Sequence, residues 1–154
     1  MQSSIDVHNH LQELGIQHEI YKLPEPAGSL ELAAASVGLT TKQVARARLI
    51  RVSRKPVMVI TPADRKVSNT KLAFEAGGGS VEPINPSEVA RISGFFPEYL
   101  PPVGLKTPVP CYIDYFTLKE DVVYTATGES TAILKIRSYD LVRATGADTV
   151  DITG

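Results

Sequence analysis

Apolar positions along the 154-residue chain follow a helical period in several separate segments. Near the N-terminus, Val7, Leu11 and Leu14 fall on one face of a predicted helix. Ser4 precedes that face as a candidate cap, and Gly15 follows it as a stop signal. The same signals predict further helices that begin at Ser29, Ser68, Asn85 and Ser138 and end at Gly38, Gly77–Gly79, Gly94 and Gly146.

Other segments alternate between the two faces of a strand. Residues 44–52 place Arg46 and Arg48 on one face and Ala47 and Leu49 on the other. Further strands are predicted over residues 18–23, 57–60, 109–113, 122–126, 133–136 and 149–152, with a short helical turn near Asp114. Mixed helices and strands joined by short turns predict one α/β domain over residues 1–154, with a curled, barrel-like mixed sheet and flanking helices.

Composition supports an ordinary globular protein. Hydrophobic residues make up 43% of the chain, the net charge is −1, and Cys111 is the one cysteine, so no intrachain disulfide can form. The N-terminus lacks a basic segment followed by an apolar run, and no apolar stretch reaches the ~20 residues that a membrane span needs. We therefore expect a cytoplasmic protein with no membrane partner.

The charge is unevenly distributed. Nine basic residues lie between Lys42 and Lys71, and Asp64 is the one acid among them. Such a stretch attracts a polyanion locally, and it is also typical of solvated outward faces of a strand pair. Both interpretations stay open at this point.

Few residues suggest metal or nucleophile chemistry. His8 and His10 lie two positions apart, so on a helix they point in different directions, and His18 lies further along. Cys111 lies in an apolar strand and is expected to be a small core residue. We expect no metal and no cofactor.

The proline-rich segment 95–107 is long for a loop inside a compact domain, and such loops are often functional. Its stiff backbone, with Gly104 allowing a close approach, is suited to lining a small pocket. The alternative is a surface loop whose aromatic side chains, Phe95, Phe96 and Tyr99, pack into the core.

Several motifs, taken in order, resemble the YbaK family of aminoacyl-tRNA editing proteins, which is related to the inserted editing domain of prolyl-tRNA synthetases. The resemblance extends from about Leu11 to Ile152. Its motifs are QVARARLI (43–50), VITP (59–62), GFFPEYLPPVG (94–104), PCYID (110–114), YTATG (124–128) and LVRATGA (141–147).

The resemblance implies a mixed β core with flanking helices and hydrolysis of the ester that joins a small wrong amino acid, of the alanine or cysteine type, to tRNA, with proline tRNA as the favoured carrier. The pocket acts as a second sieve that admits the small group and excludes the larger correct one. The substrate's own ribose hydroxyl and backbone dipoles help to position water. Aminoacyl-tRNA is the implied partner, and a synthetase is a further candidate; the oligomeric state is not implied.

The resemblance also implies site residues. The catalytic candidates are Arg46 and Gly104. Substrate-binding candidates are Leu23, Arg48, Tyr99, Leu100, Pro102, Val103, Thr127 and Gly128. Candidates from the basic stretch for tRNA binding are Lys42, Arg54, Lys55 and Lys66.

Three residues depart from the family pattern. Arg46 stands where the family usually has a lysine, and Glu98 and Tyr99 replace paired glycines in the pocket loop. A lysine presents a point charge, whereas arginine presents a planar fork of donors. The departures keep two other hypotheses open: a non-catalytic tRNA- or nucleotide-binding module of the same fold, and a binder of a small nucleotide or amino-acid metabolite.

Overall fold

The computed structural model describes residues 2–154. Over this range the predicted helices form, each preceded by a polar residue and ending near a glycine. The helices are α1 (Ser4–Glu13), α2 (Leu30–Ser36), α3 (Asn69–Glu75), α4 (Pro86–Ser93) and α5 (Ser138–Thr145), and short 3-10 turns span Thr41–Gln43, Pro97–Tyr99 and Tyr115–Lys119.

Three of the five helices are capped by the residue that the sequence predicts. The side chains of Ser29, Ser68 and Asn85 each accept a hydrogen bond from a backbone N–H in the first turn. Two predicted caps are wrong by one residue. Ser3, not Ser4, caps α1 through a reciprocal bond with Asp6, and α5 already includes Ser138.

Strands form near the predicted positions and sort into two sheets. The strands are β1 (Glu19–Lys22), β2 (Ala45–Val52), β3 (Lys55–Pro62), β4 (Val81–Pro83), β5 (Cys111–Asp114), β6 (Val122–Ala126), β7 (Ala132–Arg137) and β8 (Asp148–Val150). One sheet has the order β1-β7-β6 and is antiparallel throughout. The other has the order β4-β2-β3-β5-β8, with β5 parallel to both of its neighbours.

The predicted barrel-like sheet is wrong, because neither sheet closes. The two sheets meet at a single parallel bridge between Val44 and Tyr124, and beyond that bridge β6 and β2 separate. The strand β4 was also missed, because a three-residue strand that contains proline gives almost no alternating pattern.

Three apolar clusters hold these layers together. The largest lies on one face of the five-stranded sheet and combines large side chains such as Leu11, Ile60 and Leu134. A second, on the opposite face under α3, contains Val59 and Leu72. Strand β3 is therefore buried on both faces, which explains its unbroken apolar run. The third cluster lies under α2 and is rich in alanine.

Candidate functional site

An opening lies along one edge of β2. Strand β4 pairs with β2 only over Ile50–Val52, and β6 touches the other end of β2 through the Val44–Tyr124 bridge. Between these two contacts, no strand of the described chain covers that edge of β2. Ser53 donates its N–H to the Ser80 carbonyl, so strand alternation directs the N–H and C=O of Ala47 toward the opening.

A cavity of about 390 Å³ occupies this opening. Its walls come from β2, the β4 segment, α4, the start of α3 and the 95–107 loop. The lining side chains that project from these elements include Arg46, Arg48, Ile50, Asn69, Val81, Glu82, Ile84, Val89, Pro97 and Leu100. Buried backbone polar groups need partners, so a cavity on a free strand edge is suited to a ligand that carries hydrogen-bonding groups.

Arg46 is held in place by an acid on the neighbouring helix. Its Nη1 donates to both carboxylate oxygens of Glu31, each at 3.0 Å. Glu31 lies in the first turn of α2, whose start is fixed by the Ser29 cap. The other N–H groups of the Arg46 guanidinium have no partner within residues 2–154, so they remain able to donate to a ligand.

Arg48 projects from the same face of β2 and has no ion-pair or hydrogen-bond partner among the residues described. Burial lowers the pKa of its guanidinium, and the positive charge of Arg46 lowers it further. A half-buried arginine still carries its charge at neutral pH, and leaving it unpaired is costly. Glu82 also lines the cavity and Arg46 is paired with Glu31, so it is the charge of Arg48 that favours an anionic or strongly dipolar ligand.

Thr61 adds a buried hydroxyl beside the arginines. It lies opposite Arg46 in the β2–β3 register, so the two side chains share a face of the sheet. Its hydroxyl is fully buried and has no hydrogen-bond partner among residues 2–154. Thr61 does not line the cavity, so its hydroxyl is a candidate for holding a buried water molecule.

A second, much smaller crevice lies on the other side of the 97–100 segment. Its volume is about 10 Å³, which is room for about one water molecule. It is lined by Ala27, Ser29, Leu30, Ala33, Tyr99, Ala126, Glu129, Ser130 and Ala132. The Tyr99 hydroxyl donates to the Ala27 carbonyl at 3.0 Å, which ties the loop to the segment before α2.

The structure brings some of the predicted site residues together. Arg46, Arg48 and Leu100 line the larger cavity, and Tyr99 lines the crevice beside it. The other loop residues lie elsewhere. Pro102 and Val103 are buried, Val103 in the main core, and Gly104 packs against α1, where its carbonyl accepts from Gln2.

Leu23, Thr127 and Gly128 also lie outside both cavities. Leu23 packs against the alanine-rich cluster, and the buried Thr127 hydroxyl donates to the Ala132 carbonyl at 3.4 Å. Gly128 has φ +91°, and a Cβ there would lie 2.4 Å from the Phe95 ring. The alternative interpretation of the loop is thus correct for Phe95, which is buried, while Phe96 is 53% exposed.

The nine basic residues of the 42–71 stretch divide into two groups. Four have a protein partner: Arg46 with Glu31, Arg51 with Glu88, Arg65 with Thr153, and Lys71 with Asp151. In the part of the chain that is described, the charged groups of the other five have none. Those five are Arg48 and the predicted tRNA-binding residues Lys42, Arg54, Lys55 and Lys66.

These four predicted tRNA-binding residues do not form one patch. Arg54 and Lys55 lie at the tip of the β2–β3 hairpin, whereas Lys42 and Lys66 flank the other end of the same two strands. Strand β2 spans about 23 Å between Ala45 and Val52 at ~3.3 Å per residue.

Other chemistries find little support. Burial raises the pKa of the Cys111 thiol to about 12, so it is not a thiolate nucleophile at neutral pH. Nδ1 of His8 lies 2.8 Å from Nε2 of His18, and no group of three metal-ligating side chains occurs within residues 2–154. Over the same residues, no helix is long and apolar enough to cross a bilayer.

Sequence reasoning missed three contributors to the site. Glu31 is the partner of Arg46 but lies 15 residues away, and nothing in the sequence marks it beyond its place in the first turn of α2. Asn69 follows the Ser68 cap and was not singled out. The small side chains around the crevice, such as Ala126, come together only in the tertiary structure.

Comparison with known proteins identifies related sequences and structures. A family model described as the aminoacyl-tRNA editing domain matches residues 24–144. The proline–tRNA ligase of Bacillus licheniformis is 26% identical over 107 residues, which cover 67% of this chain and 19% of that protein. The chain thus spans about a fifth of the ligase's length. The uncharacterized Bacillus subtilis protein YwhH is 21% identical over 88% of this chain and 86% of its own length.

Solved structures show the same fold. One, of a protein proposed to be a trans-editing enzyme for prolyl-tRNA synthetase, superimposes with a TM-score of 0.90 and 24% identity, covering 100% of this chain and 98% of that one. Another, the hypothetical protein APE2540, has a TM-score of 0.90 and 23% identity, covering 97% and 99% of the two chains. At these identities the likeness concerns the fold.

Proposed function

The chain belongs to the aminoacyl-tRNA editing domain family, and on that premise we propose that it hydrolyses the ester between a small mischarged amino acid and tRNA. It acts in trans on an amino acid of the alanine or cysteine type, with proline tRNA as the favoured carrier. The observation that carries the proposal is the half-buried cationic cavity on the free edge of β2.

Arg46 and Arg48 are the proposed binding groups for the 3′ end of the charged tRNA. The cavity of about 390 Å³ lies within the range typical of small-molecule sites, roughly 300–1,000 Å³. Arg46, already oriented by Glu31, donates to the terminal phosphate or to the acyl carbonyl. Arg48 supplies a second cation that has no competing protein partner within residues 2–154.

Hydrolysis in this cavity uses water positioned by the substrate and the protein. As negative charge develops on the acyl oxygen, a pre-oriented arginine stabilises it more than it stabilises the ground state. The substrate's own ribose hydroxyl helps to position the attacking water.

A non-catalytic tRNA-binding module is the second candidate. One observation favours it: both oxygens of Glu31 accept from Arg46, so part of the guanidinium is occupied before any substrate arrives. In that case the cavity still binds the end of a tRNA, but the ester is not turned over.

A panel assay tests the proposal directly. The protein is incubated with tRNAs charged with alanine, cysteine, serine or proline, without added metal and with a chelator present. We expect faster release of at least one small amino acid than in the protein-free control, and slower release by folded Arg46→Ala.

Two results would contradict this proposal. Tight binding of charged tRNA with release no faster than spontaneous hydrolysis would establish the binding module instead. Activity that the chelator abolishes and zinc restores would exclude the metal-free mechanism.

A further inference from the structure

A groove of about 690 Å³ lies between α1, the segment that follows it and the end of β7. It shares no lining residue with the cavity on the edge of β2. Ile16, Val122 and Ile136 supply its apolar lining, and most of the rest is polar: His8, Gln12, Gln17, His18, Glu19, Lys135 and Arg137. The proposed hydrolysis does not use this groove, whose polar lining is suited to a separate ligand group.

Strand β7 extends beyond the strand that covers its edge here. β1 begins at Glu19, which pairs with Lys135, whereas β7 continues to Arg137. Ser138 donates its N–H to the Asp121 carbonyl on the β6 side, so strand alternation directs the N–H and C=O of Arg137 to the opposite side. Within residues 2–154, no backbone group pairs with them there. A backbone N–H without a partner is a donor available to an anion.

Positive charge exceeds negative charge along the groove. The side chains of Lys135 and Arg137 leave the same face of β7, because they are two residues apart. Lys135 Nζ lies 3.9 Å from Glu19 Oε1, and the Glu19 carboxylate also accepts from the Tyr21 hydroxyl. The Arg137 guanidinium has no ion-pair or hydrogen-bond partner among the described residues. It is therefore able to bind an anion without first leaving a protein acid.

His8 and His18 form a pair whose hydrogens can be counted from its contacts. Nδ1 of His18 lies 2.9 Å from the Ile16 carbonyl, which only accepts, so this nitrogen carries a hydrogen. Nε2 of His18 lies 2.8 Å from Nδ1 of His8, and a single hydrogen fits between them. Nε2 of His8 is the ring nitrogen left without a partner in the part of the chain that is described. The pair can therefore add one proton, at this nitrogen, without breaking its contact.

We propose that this groove binds a phosphate group, held by Arg137, Lys135 and the singly protonated pair of His8 and His18. The planar donors of an arginine match phosphate oxygens, and the free N–H of Arg137 adds a backbone donor. An anion in the groove draws one proton from solvent onto His8 Nε2, which then donates to it. The inference goes beyond the proposed function and does not depend on it. The phosphate belongs either to a small phosphorylated compound or to an RNA backbone.

The charged groups around the histidine pair decide how binding depends on pH. Glu19, Lys135 and Arg137 face the groove, and its other lining residues from α1 and β6 are uncharged. Asp121 and Asp140 line a neighbouring hollow that also includes Arg137. Among these types of side chain, histidine alone ordinarily changes its charge between pH 5 and 8. Binding should therefore tighten as the pH falls through this range, because the pair gains its proton.

Sulfate tests the site, because it has the tetrahedral shape of phosphate and does not itself titrate in this range. Sulfate is added to the protein at pH 6 and at pH 8, and NMR follows the backbone amide signals of Lys135 and Arg137 and the ring nitrogens of the histidine pair. We expect all of these signals to shift on binding, with an affinity about fivefold higher at pH 6. Signals that do not respond at either pH would overturn the proposal.

Matched substitutions show whether the groove is the site. Arg137→Gln removes the guanidinium that has no partner, and we expect the affinity for sulfate to fall about tenfold by the same amide signals. The double substitution His8→Gln with His18→Gln should remove the pH dependence. Arg91→Gln changes an exposed arginine of α4 that lines neither the groove nor the cavity, and it should bind like the parent.

Melting temperatures show which of these variants are folded. Unchanged sulfate affinity in folded Arg137→Gln would overturn the proposal. A pH dependence that survives in the folded double histidine variant would overturn the part of the pair.

Three probes separate the two sources of the phosphate. Inorganic phosphate, AMP and uncharged tRNA are titrated into the parent and into Arg137→Gln. AMP that binds more tightly per phosphate than tRNA assigns the groove to small phosphorylated compounds. A salt slope for tRNA that falls by about 0.7–0.9 in Arg137→Gln assigns it to an RNA backbone. Either result supports the site, and equal binding of all three probes by the two proteins overturns it.

Discussion

Strand β2 carries two arginine–glutamate pairs that are alike in exposure and differ in surroundings. The Arg46 and Glu31 side chains are 20% and 36% exposed, and those of Arg51 and Glu88 are 27% and 36% exposed. The Arg46 pair borders the cavity where the strand edge is free. The Arg51 pair lies where β4 covers that edge, and Arg51 also donates to the Arg54 carbonyl.

The difference teaches that an ion pair by itself does not mark a functional site. Both pairs are half-exposed, and pairs of this kind contribute about 0–1 kcal/mol to stability. What distinguishes the Arg46 pair is its context: a free backbone edge, a second arginine without a partner among residues 2–154, and a cavity of ligand size. If this context matters, substitutions at the two ends of β2 should have unequal effects on activity.

The largest effect is expected at Arg46. A charge-assisted hydrogen bond to the developing oxyanion or phosphate is worth about 1.5–3 kcal/mol, so Arg46→Ala should slow deacylation roughly ten- to a hundredfold. Arg46→Lys should keep part of the rate, because it keeps the charge. Single-turnover rates at saturating protein, with melting temperatures, provide the measurement.

Arg48→Ala is the matched control for this prediction. Because no residue of the described chain pairs with Arg48 to orient it, we expect its loss to weaken substrate binding more than it slows the chemical step. An Arg46→Ala rate equal to the parent's, or an Arg48→Ala rate that falls further than that of Arg46→Ala, would show that the reacting group is not next to Arg46.

A smaller effect is expected at Glu31. Glu31→Ala leaves Arg46 without its only protein partner in the described chain, and we expect the rate to fall about fivefold, which corresponds to about 1 kcal/mol. Glu31→Gln keeps an acceptor for the guanidinium and should retain most of the rate. A Glu31→Ala enzyme as fast as the parent would mean that Arg46 needs no orientation.

Two double substitutions compare the ends of the hairpin as tRNA contacts. Each phosphate contact that is lost should flatten the plot of log affinity against log salt by about 0.7–0.9. Arg54→Gln with Lys55→Gln removes two positive charges at the tip of the hairpin. Lys42→Gln with Lys66→Gln removes two positive charges at the end near the cavity. We expect both pairs to lower the slope and to leave the rate at saturating tRNA unchanged.

The slopes can also contradict the tRNA-binding role. A slope that neither double substitution changes would mean that these residues are only a solvated surface. A slope that changes for one pair alone would assign the tRNA to that end of β2.

The smallest effect is expected at the second ion pair. Arg51→Ala should leave the deacylation rate within twofold of the parent and should lower the free energy of unfolding by no more than about 1 kcal/mol. Denaturant titration and the same rate assay measure both. A tenfold loss of rate in a stably folded Arg51→Ala would mean that the two ion pairs do not differ in their importance for activity.

Local features of the fold were predictable because their signals are local. The Ser29, Ser68 and Asn85 caps, the alternation of β2 and the buried run of β3 each depend on neighbouring residues. The barrel-like sheet was wrong because closure depends on how far β6 follows β2, and one bridge at Val44 ends that contact.

The site was only partly predictable for the same reason. Arg46 and Leu100 were found through motifs that resemble a known family, and both line the cavity. Glu31 pairs with Arg46, which is 15 residues away in the sequence, and the Ala27 carbonyl accepts from Tyr99, which is 72 residues away. No local sequence pattern therefore reveals either contact. Residues such as Val103 lie in the same motif but pack into the core.

The single bridge between Val44 and Tyr124 has a consequence for the order of folding. It joins strands about 80 residues apart, and closing a loop of that length costs about 4 kcal/mol of chain entropy. The β2–β3 hairpin needs only its own turn and forms first, whereas the neighbouring β6 arrives late. Until β6 and the elements around the cavity have packed, the edge of β2 that forms the cavity is uncovered as well as unpaired, and it is able to join a second copy. Refolding at high protein concentration should therefore give more aggregate, because chains pair with each other along this edge.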